Sequence, residues 1–120
     1  MAQSAIETAE PIAAIDRGHL TRMTFGDRSL EQEVLQLFDR QASLLIARMR
    51  SGDDALVGAL AHTLKGSAVG MGAEQGARAA AEAERAAVDA PAELSATIDR
   101  LALAVDEARA LIAELLRQGA

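Results

Sequence analysis

The run AHTLKGSAVGMGA, residues 61–73, holds the one constellation in the chain that could do chemistry: His62, then Lys65 and Gly66 three and four residues on. On a helix that spacing puts all three on one face. A histidine ring, with an ordinary pKa of about 6.5, is largely neutral at physiological pH and offers one ring nitrogen as a nucleophile. A lysine one turn away can offset the charge of an incoming anion. Glycine within a helix costs about 1 kcal/mol relative to alanine, so Gly66 needs a reason.

At 100° per residue the apolar stripe of this helix, Leu56, Leu60, Thr63, Leu64, Ser67 and Met71, centres about 150° from His62, which therefore faces outward. The positions around it are Gly58, Ala59, Lys65, Gly66, Val69 and Gly70. All but Lys65 are small or apolar, where an exposed helix face ordinarily carries long charged side chains. Three glycines give up roughly 2 to 3 kcal/mol of helix propensity. They leave a flat surface that a second molecule can approach closely. His62 is the candidate nucleophile, Lys65 the neutralising cation and Gly66 the opening for access, with Gly58, Ala59, Val69 and Gly70 as candidate partner contacts.

The surrounding sequence predicts the elements that hold this face. Residues 1–14, interrupted by Pro11, read as a loose arm whose Ile12, with Ile15 just beyond, can pack onto the body. Asp16 caps a short helix running through Met23, and the Gly26-Asp27 pair ends it and caps a long helix from about Arg28 to Arg50. The inward stripe of that helix is Leu35, Phe38, Ala42, Leu45 and Met49, widened by Val34 and Leu37. Ser51, Gly52 and Asp53 form a turn, and Asp53 or Asp54 caps the helix of His62, which ends near Gly70 or Gly72. An alanine-rich helix follows from about Ala73 to Val88, closed by Asp89 and Pro91. The final helix has the cleanest period, with Leu94, Ile98, Leu101, Val105, Ala108, Ile112 and Leu115 three or four apart. The expected fold is all-α, an up-and-down antiparallel four-helix bundle over residues 15–120 with a short leading helix.

Composition narrows the function. A net charge of -6 and only two aromatic residues argue against nucleic acid as a partner. The absence of cysteine excludes disulfides and thiolate chemistry, and His19 and His62 lie too far apart in sequence to suggest a histidine metal site. The opening MAQSAIETAEP lacks the basic and apolar regions of an export signal, and no uninterrupted apolar window is long enough for a membrane span. A cytoplasmic protein is expected.

The segment His62-Thr63-Leu64-Lys65-Gly66-Ser67-Ala68, followed by Met71-Gly72-Ala73, resembles the H-x-L-K-G-[SA]-[SA] signature of histidine phosphotransfer (HPt) domains. Phe25-Gly26-Asp27 with Val34, Leu37 and Phe38 is similar to the segment leading into that family's first long helix, and Glu84 falls where the family often has an acidic residue. The likeness covers about residues 16–88. It implies a monomeric phosphocarrier, without kinase activity of its own, that takes a phosphoryl group on His62 from a receiver-domain aspartyl phosphate and relays it to another receiver. Its partners would be response-regulator receivers and a hybrid histidine kinase, with no nucleic acid and no membrane. No cofactor is implied for this chain, since Mg²⁺ belongs to the receiver. By the same likeness Lys65 offsets phosphate charge and Gly66 admits the receiver. Ala77 and Ala81 are smaller than the family tends to carry, which suggests a more closely packed third bundle helix. Two rivals are a plain helical interaction module and a phosphoacceptor domain cut from a sensor kinase. The second normally has an acidic residue after its histidine and a Thr-Pro or Asn-Pro pair soon after; this chain has Thr63 and Gly66-Ser67.

Overall fold

Two aspartates start the first two helices. The computed structural model describes residues 14–52 and 54–119, so the leading arm, apart from Ala14, and the capping role of Asp53 lie outside the described residues. Asp16 caps α1 (Arg17–Met23), its carboxylate accepting from the His19 amide, and Asp27 caps α2 (Arg28–Ser51), accepting from the Leu30 amide at 3.0 Å. Between them Phe25 and Gly26 both take positive φ, +56° and +71°, and reverse the chain. Glycine reaches that region without strain; phenylalanine does not.

The histidine helix is α3 (Asp54–Met71). Gly72 ends it at φ +72°, where its amide donates to the Val69 carbonyl and the Ala73 amide to Ala68, the paired bonds of a Schellman motif. The Gly72 carbonyl in turn accepts from the Asp16 amide at 2.9 Å, and a Cβ there would press on Asp16 and His19 at 3.2 Å. One glycine therefore both stops α3 and lets α1 dock against its end. Gly70 stays inside the helix.

The alanine-rich helix is α4 (Glu74–Asp89), followed by a 3-10 turn at Pro91–Glu93 that the sequence reading did not anticipate, and then α5 (Leu94–Arg117). Among the described residues all regular structure is helical. Helix α3 packs on α4, α4 on α5, α5 on α2 and α2 on α3, closing a ring of four long helices, with α1 seated on α3. Short connections make sequential neighbours antiparallel, which is the expected bundle.

The stripes of α2 and α5 bury nearly as read: Leu35, Phe38, Ala42 and Met49 on one, and all seven expected positions plus Thr97 on the other. Leu37 is exposed rather than inward, and Leu45 and Val34 are half-buried. The α3 stripe needs a correction. Its buried residues are Val57, Leu60, Ala61, Leu64, Ala68 and Met71, while Leu56 and Thr63 are exposed and Ser67 is half-buried. The buried stripe is turned toward Ala61 and Ala68 because α4 approaches there through its own small residues. Gly76, Ala80, Ala83 and Ala86 form the buried face of α4. A Cβ on Gly76 would sit 3.8 Å from Ala68, and one on Gly58 would sit 3.6 Å from Ala87. Glycine and alanine thus line both sides of the α3–α4 contact, which brings the two helices close together.

Ion pairs from Asp39 to Arg109 at 2.7 Å and from Arg50 to Asp99 at 2.9 Å tie α2 to α5 at the surface, where such pairs add at most about 1 kcal/mol each. The small-residue contact matters more. Ala83 is fully buried, so Ala83→Leu is expected to overpack the α3–α4 contact and destabilise the protein by roughly 1 to 3 kcal/mol. A urea or thermal melt followed by helical circular dichroism measures this; an unchanged midpoint would show that the contact has room to spare.

Candidate functional site

His62 lies midway along α3, with its side chain 66% exposed. Outward placement follows from the buried stripe on the far side of the helix. What the sequence reading did not supply is a partner. Glu84, on α4, reaches across the small-residue contact so that its Oε2 is 2.9 Å from Nδ1 of His62 and its Oε1 is 2.9 Å from Nζ of Lys65. One carboxylate holds both side chains.

The Lys65 ammonium, donating to Glu84, draws the carboxyl below the usual carboxylate range, and the His62 contact acts in the same direction against partial burial. Glu84 is therefore ionised at neutral pH and can only accept hydrogen bonds. It follows that Nδ1 of His62 carries a proton and donates it to Glu84. In the neutral ring the lone pair is then on Nε2. The carboxylate fixes the tautomer and the orientation of the ring and leaves Nε2 as the nitrogen with a free lone pair. Lys65, about one-third exposed, is held beside the same ring.

Gly66 is exposed, and a Cβ built on it would meet no atom within 4 Å. Packing among the described residues gives no reason for glycine at this position. Gly70 is equally open to a Cβ and is half-buried. Gly58, by contrast, faces Ala87 on α4 as well as the outer surface. Ala59 and Val69 are exposed, and the Thr63 hydroxyl turns back to donate to the Ala59 carbonyl at 3.1 Å. The structure thus brings His62 and Lys65 together through Glu84 and leaves Gly66 beside them as open surface.

One helical turn and more beyond, Gly70, Ser67 and Met71 form one wall of a shallow apolar groove whose other wall is Val34, Leu37, Phe38 and Gln41 of α2, with Met23 of α1 at its end. Of these, Leu37 and Met23 are exposed, as is Val69 nearby in sequence. Among the described residues no group of three or more His, Cys, Asp or Glu is placed to hold a metal ion, and no helix is long and apolar enough to cross a membrane.

Glu84 is the member of this cluster that spacing alone missed. It stands next to Ala83 at the border of the buried alanine face of α4, and the only sign of it in the sequence was the family likeness, which marked an acidic position without a task. The other candidate residues were legible because they share one helix with His62.

No curated protein and no solved structure matches the chain significantly. The Hpt domain family model matches residues 28–118, which takes in α2 through α5 with the His62–Lys65–Glu84 cluster. With an all-helical bundle and an outward histidine on its second long helix already in place, the match shows that the chain belongs to the Hpt domain family, the histidine phosphotransfer domains of phosphorelays.

Proposed function

We propose that the chain takes a phosphoryl group from the aspartyl phosphate of a receiver domain onto Nε2 of His62 and passes it on to another receiver. The observation that carries this reading is the paired contact of Glu84, whose carboxylate accepts from Nδ1 of His62 and from the ammonium of Lys65 together. That arrangement suits a nucleophile that must present one lone pair in one direction.

The Nε2 lone pair attacks phosphorus in line. The N–P bond forms as the P–O bond to the aspartyl carboxylate breaks, and the carboxylate leaves with the electron pair. The ring gains positive charge while its Nδ1 proton stays on the Glu84 side, where the carboxylate offsets that charge. Lys65 is close enough along the helix to turn its ammonium toward the phosphoryl oxygens. Donation to a second receiver is the reverse attack, by that receiver's aspartate. Positioning and charge neutralisation supply most of the acceleration in such transfers, and the receiver brings the Mg²⁺. Gly66 leaves the approach to the ring unobstructed, and the apolar groove with Val69 offers a receiver a dry contact beside it. The donor is a hybrid histidine kinase or its receiver, and the setting is the cytoplasm.

Three results are expected. Purified protein with Mg²⁺ and ATP stays unlabelled and gains acid-labile phosphate only when a phosphorylated receiver is added; His62→Gln loses that label with unchanged helicity. Label acquired from ATP alone would sink the shuttle reading. Gly66→Leu, which has open space for its side chain, keeps or raises stability by about 1 kcal/mol or less while transfer slows. A normal transfer rate in that variant would remove the access argument.

Glu84→Gln leaves one neutral acceptor oxygen where the carboxylate held both His62 and Lys65, and slows transfer roughly tenfold, measured by rapid quench with phosphorylated receiver. The same variant checks the electrostatics. Because the folded-state pKa of Glu84 is lowered, its stabilising contribution is present above the ordinary carboxylate range and is lost as pH falls through the lowered value. Melting temperatures of wild type and Glu84→Gln are therefore expected to differ at neutral pH and to converge in acid. A difference independent of pH would show that the carboxylate acts through shape rather than charge.

A further inference from the structure

A phosphoryl group on His62 would bring up to about two negative charges into a cluster that holds one anion and one fixed cation. The charged groups facing the ring are Lys65 from its own helix and Glu84 from α4. Other charges on α4 are turned elsewhere. Glu82 pairs with Arg100 of α5, Arg78 pairs with Glu74, and Arg85, exposed and next to Glu84 in sequence, projects about 100° away from it. On the other flank of α3, Arg40 and Arg48 of α2 are exposed, and the ion pairs of His62 and Lys65 are made with Glu84. Helix α1, with Asp16, Arg17 and Arg22, docks at Gly72, about 15 Å along α3 from the ring.

We infer that the ring keeps its Nδ1 proton after phosphorylation, so that the phosphoryl group is carried on an imidazolium at neutral pH, and that Glu84 is the positioning residue that retains the proton. The inference rests on the reading that Nε2 of His62 receives the group. Two states of the phosphorylated cluster compete. With the proton kept, the imidazolium stands against Glu84 while Lys65 turns to the phosphoryl oxygens, and each anion has a cation. With the proton lost, Nδ1 sets a lone pair against an ionised carboxylate 2.9 Å away that can only accept, and Glu84 and the phosphoryl group must share one lysine. The carboxylate has little freedom to turn aside, for it is two-thirds covered and stands next to the fully buried Ala83. An ordinary imidazolium gives up its proton near pH 6.5, so a ring without such a partner would be mostly neutral at physiological pH.

The retained proton governs how readily the group leaves. When a receiver's aspartate attacks, the N–P bond breaks as the new P–O bond forms, and the electron pair returns to Nε2. From an imidazolium the ring departs as neutral imidazole with its Nδ1 proton in place, and no proton passes to or from water in either direction of transfer. From a neutral ring it would depart as imidazolate, a far stronger base, unless a proton arrived first. The carboxylate therefore makes donation by this chain nearly level across the neutral range, whereas a neutral side chain at position 84 would tie donation to proton uptake.

Nitrogen-15 NMR of the full chain tests it. Phosphoramidate, a small-molecule phosphoryl donor, phosphorylates exposed histidine without a receiver; Nε2 of His19 is buried, and loss of the signal in His62→Gln assigns the label to His62. The ring of phosphorylated wild type is expected to be protonated at Nδ1 at about pH 7 and to titrate about one to two pH units above that of phosphorylated Glu84→Gln. Equal midpoints, or a wild-type ring already neutral at about pH 7, overturn the inference. Donation to an unphosphorylated receiver gives a second readout. The ratio of wild-type to Glu84→Gln rates should widen roughly fivefold between about pH 6.5 and 8, and a ratio that does not change with pH overturns the inference as well. The NMR measurement uses no receiver. A protonated ring whose group no receiver takes would end the transfer reading and leave this inference standing, while receivers that draw the group from a neutral ring would do the reverse.

Discussion

The close approach of α3 and α4 is the constraint on which the rest of the site depends. Glu84 has a short side chain, and it must reach a histidine and a lysine on the neighbouring helix with both carboxylate oxygens at 2.9 Å. That is possible because the contact beneath it is made of Gly58 against Ala87 and Ala68 against Gly76, with Ala61, Ala80 and Ala83 buried between. Larger side chains at these positions would move the helix axes apart toward the upper end of the usual 8 to 10 Å range and leave the carboxylate short of the ring. Alanine buries little apolar area, so the cohesion of the bundle comes from elsewhere. The aliphatic stripe of α5 and the Leu35–Phe38–Met49 face of α2 supply it.

The ion pairs at the site are suited to being broken. Partly exposed charge pairs are weakened by solvent screening, so Lys65 can leave Glu84 for the oxygens of a phosphoryl group at small cost. In the proposed transfer Glu84 is then left to the ring as its positive charge develops. A deeply buried pair would hold its geometry more firmly but would resist that exchange, since separating it leaves an unpaired charge in a poorly polarisable surrounding. Partial exposure, about one-third for both Lys65 and Glu84, lies between these limits. The carboxylate stays close enough to set the tautomer of His62, and the cation stays free to follow the charge.

Much of this could be read from the sequence. The caps Asp16 and Asp27, the periods of α2 and α5, and the outward direction of His62 all rest on local signals, and the structure has them as read apart from Leu37, which is exposed. The stripe of α3 was misplaced for a physical reason: periodicity counts Leu56, Thr63 and Ser67 as well placed, whereas burial was decided by Ala61 and Ala68, whose small size is what a close neighbour requires. Glu84 was out of reach for a related reason. A partner on another helix, 22 residues away, leaves no trace in the spacing around His62. The glycines look alike in the sequence and serve three ends. Gly72 takes a positive φ beneath Asp16 and His19, Gly58 admits α4, and a Cβ on Gly66 would meet nothing within 4 Å among the described residues. Of the three, only Gly66 has no structural cause there.

The groove beside α3 sharpens what the surface says. Burial of apolar area is non-directional, so an apolar wall lends affinity without choosing a partner, and the charges at its edge must do the discriminating. Around His62 those charges are committed to one another through Glu84. Along the outer edge of α2 they are not, for Glu33 and Arg40 are exposed without ion-pair partners among the described residues.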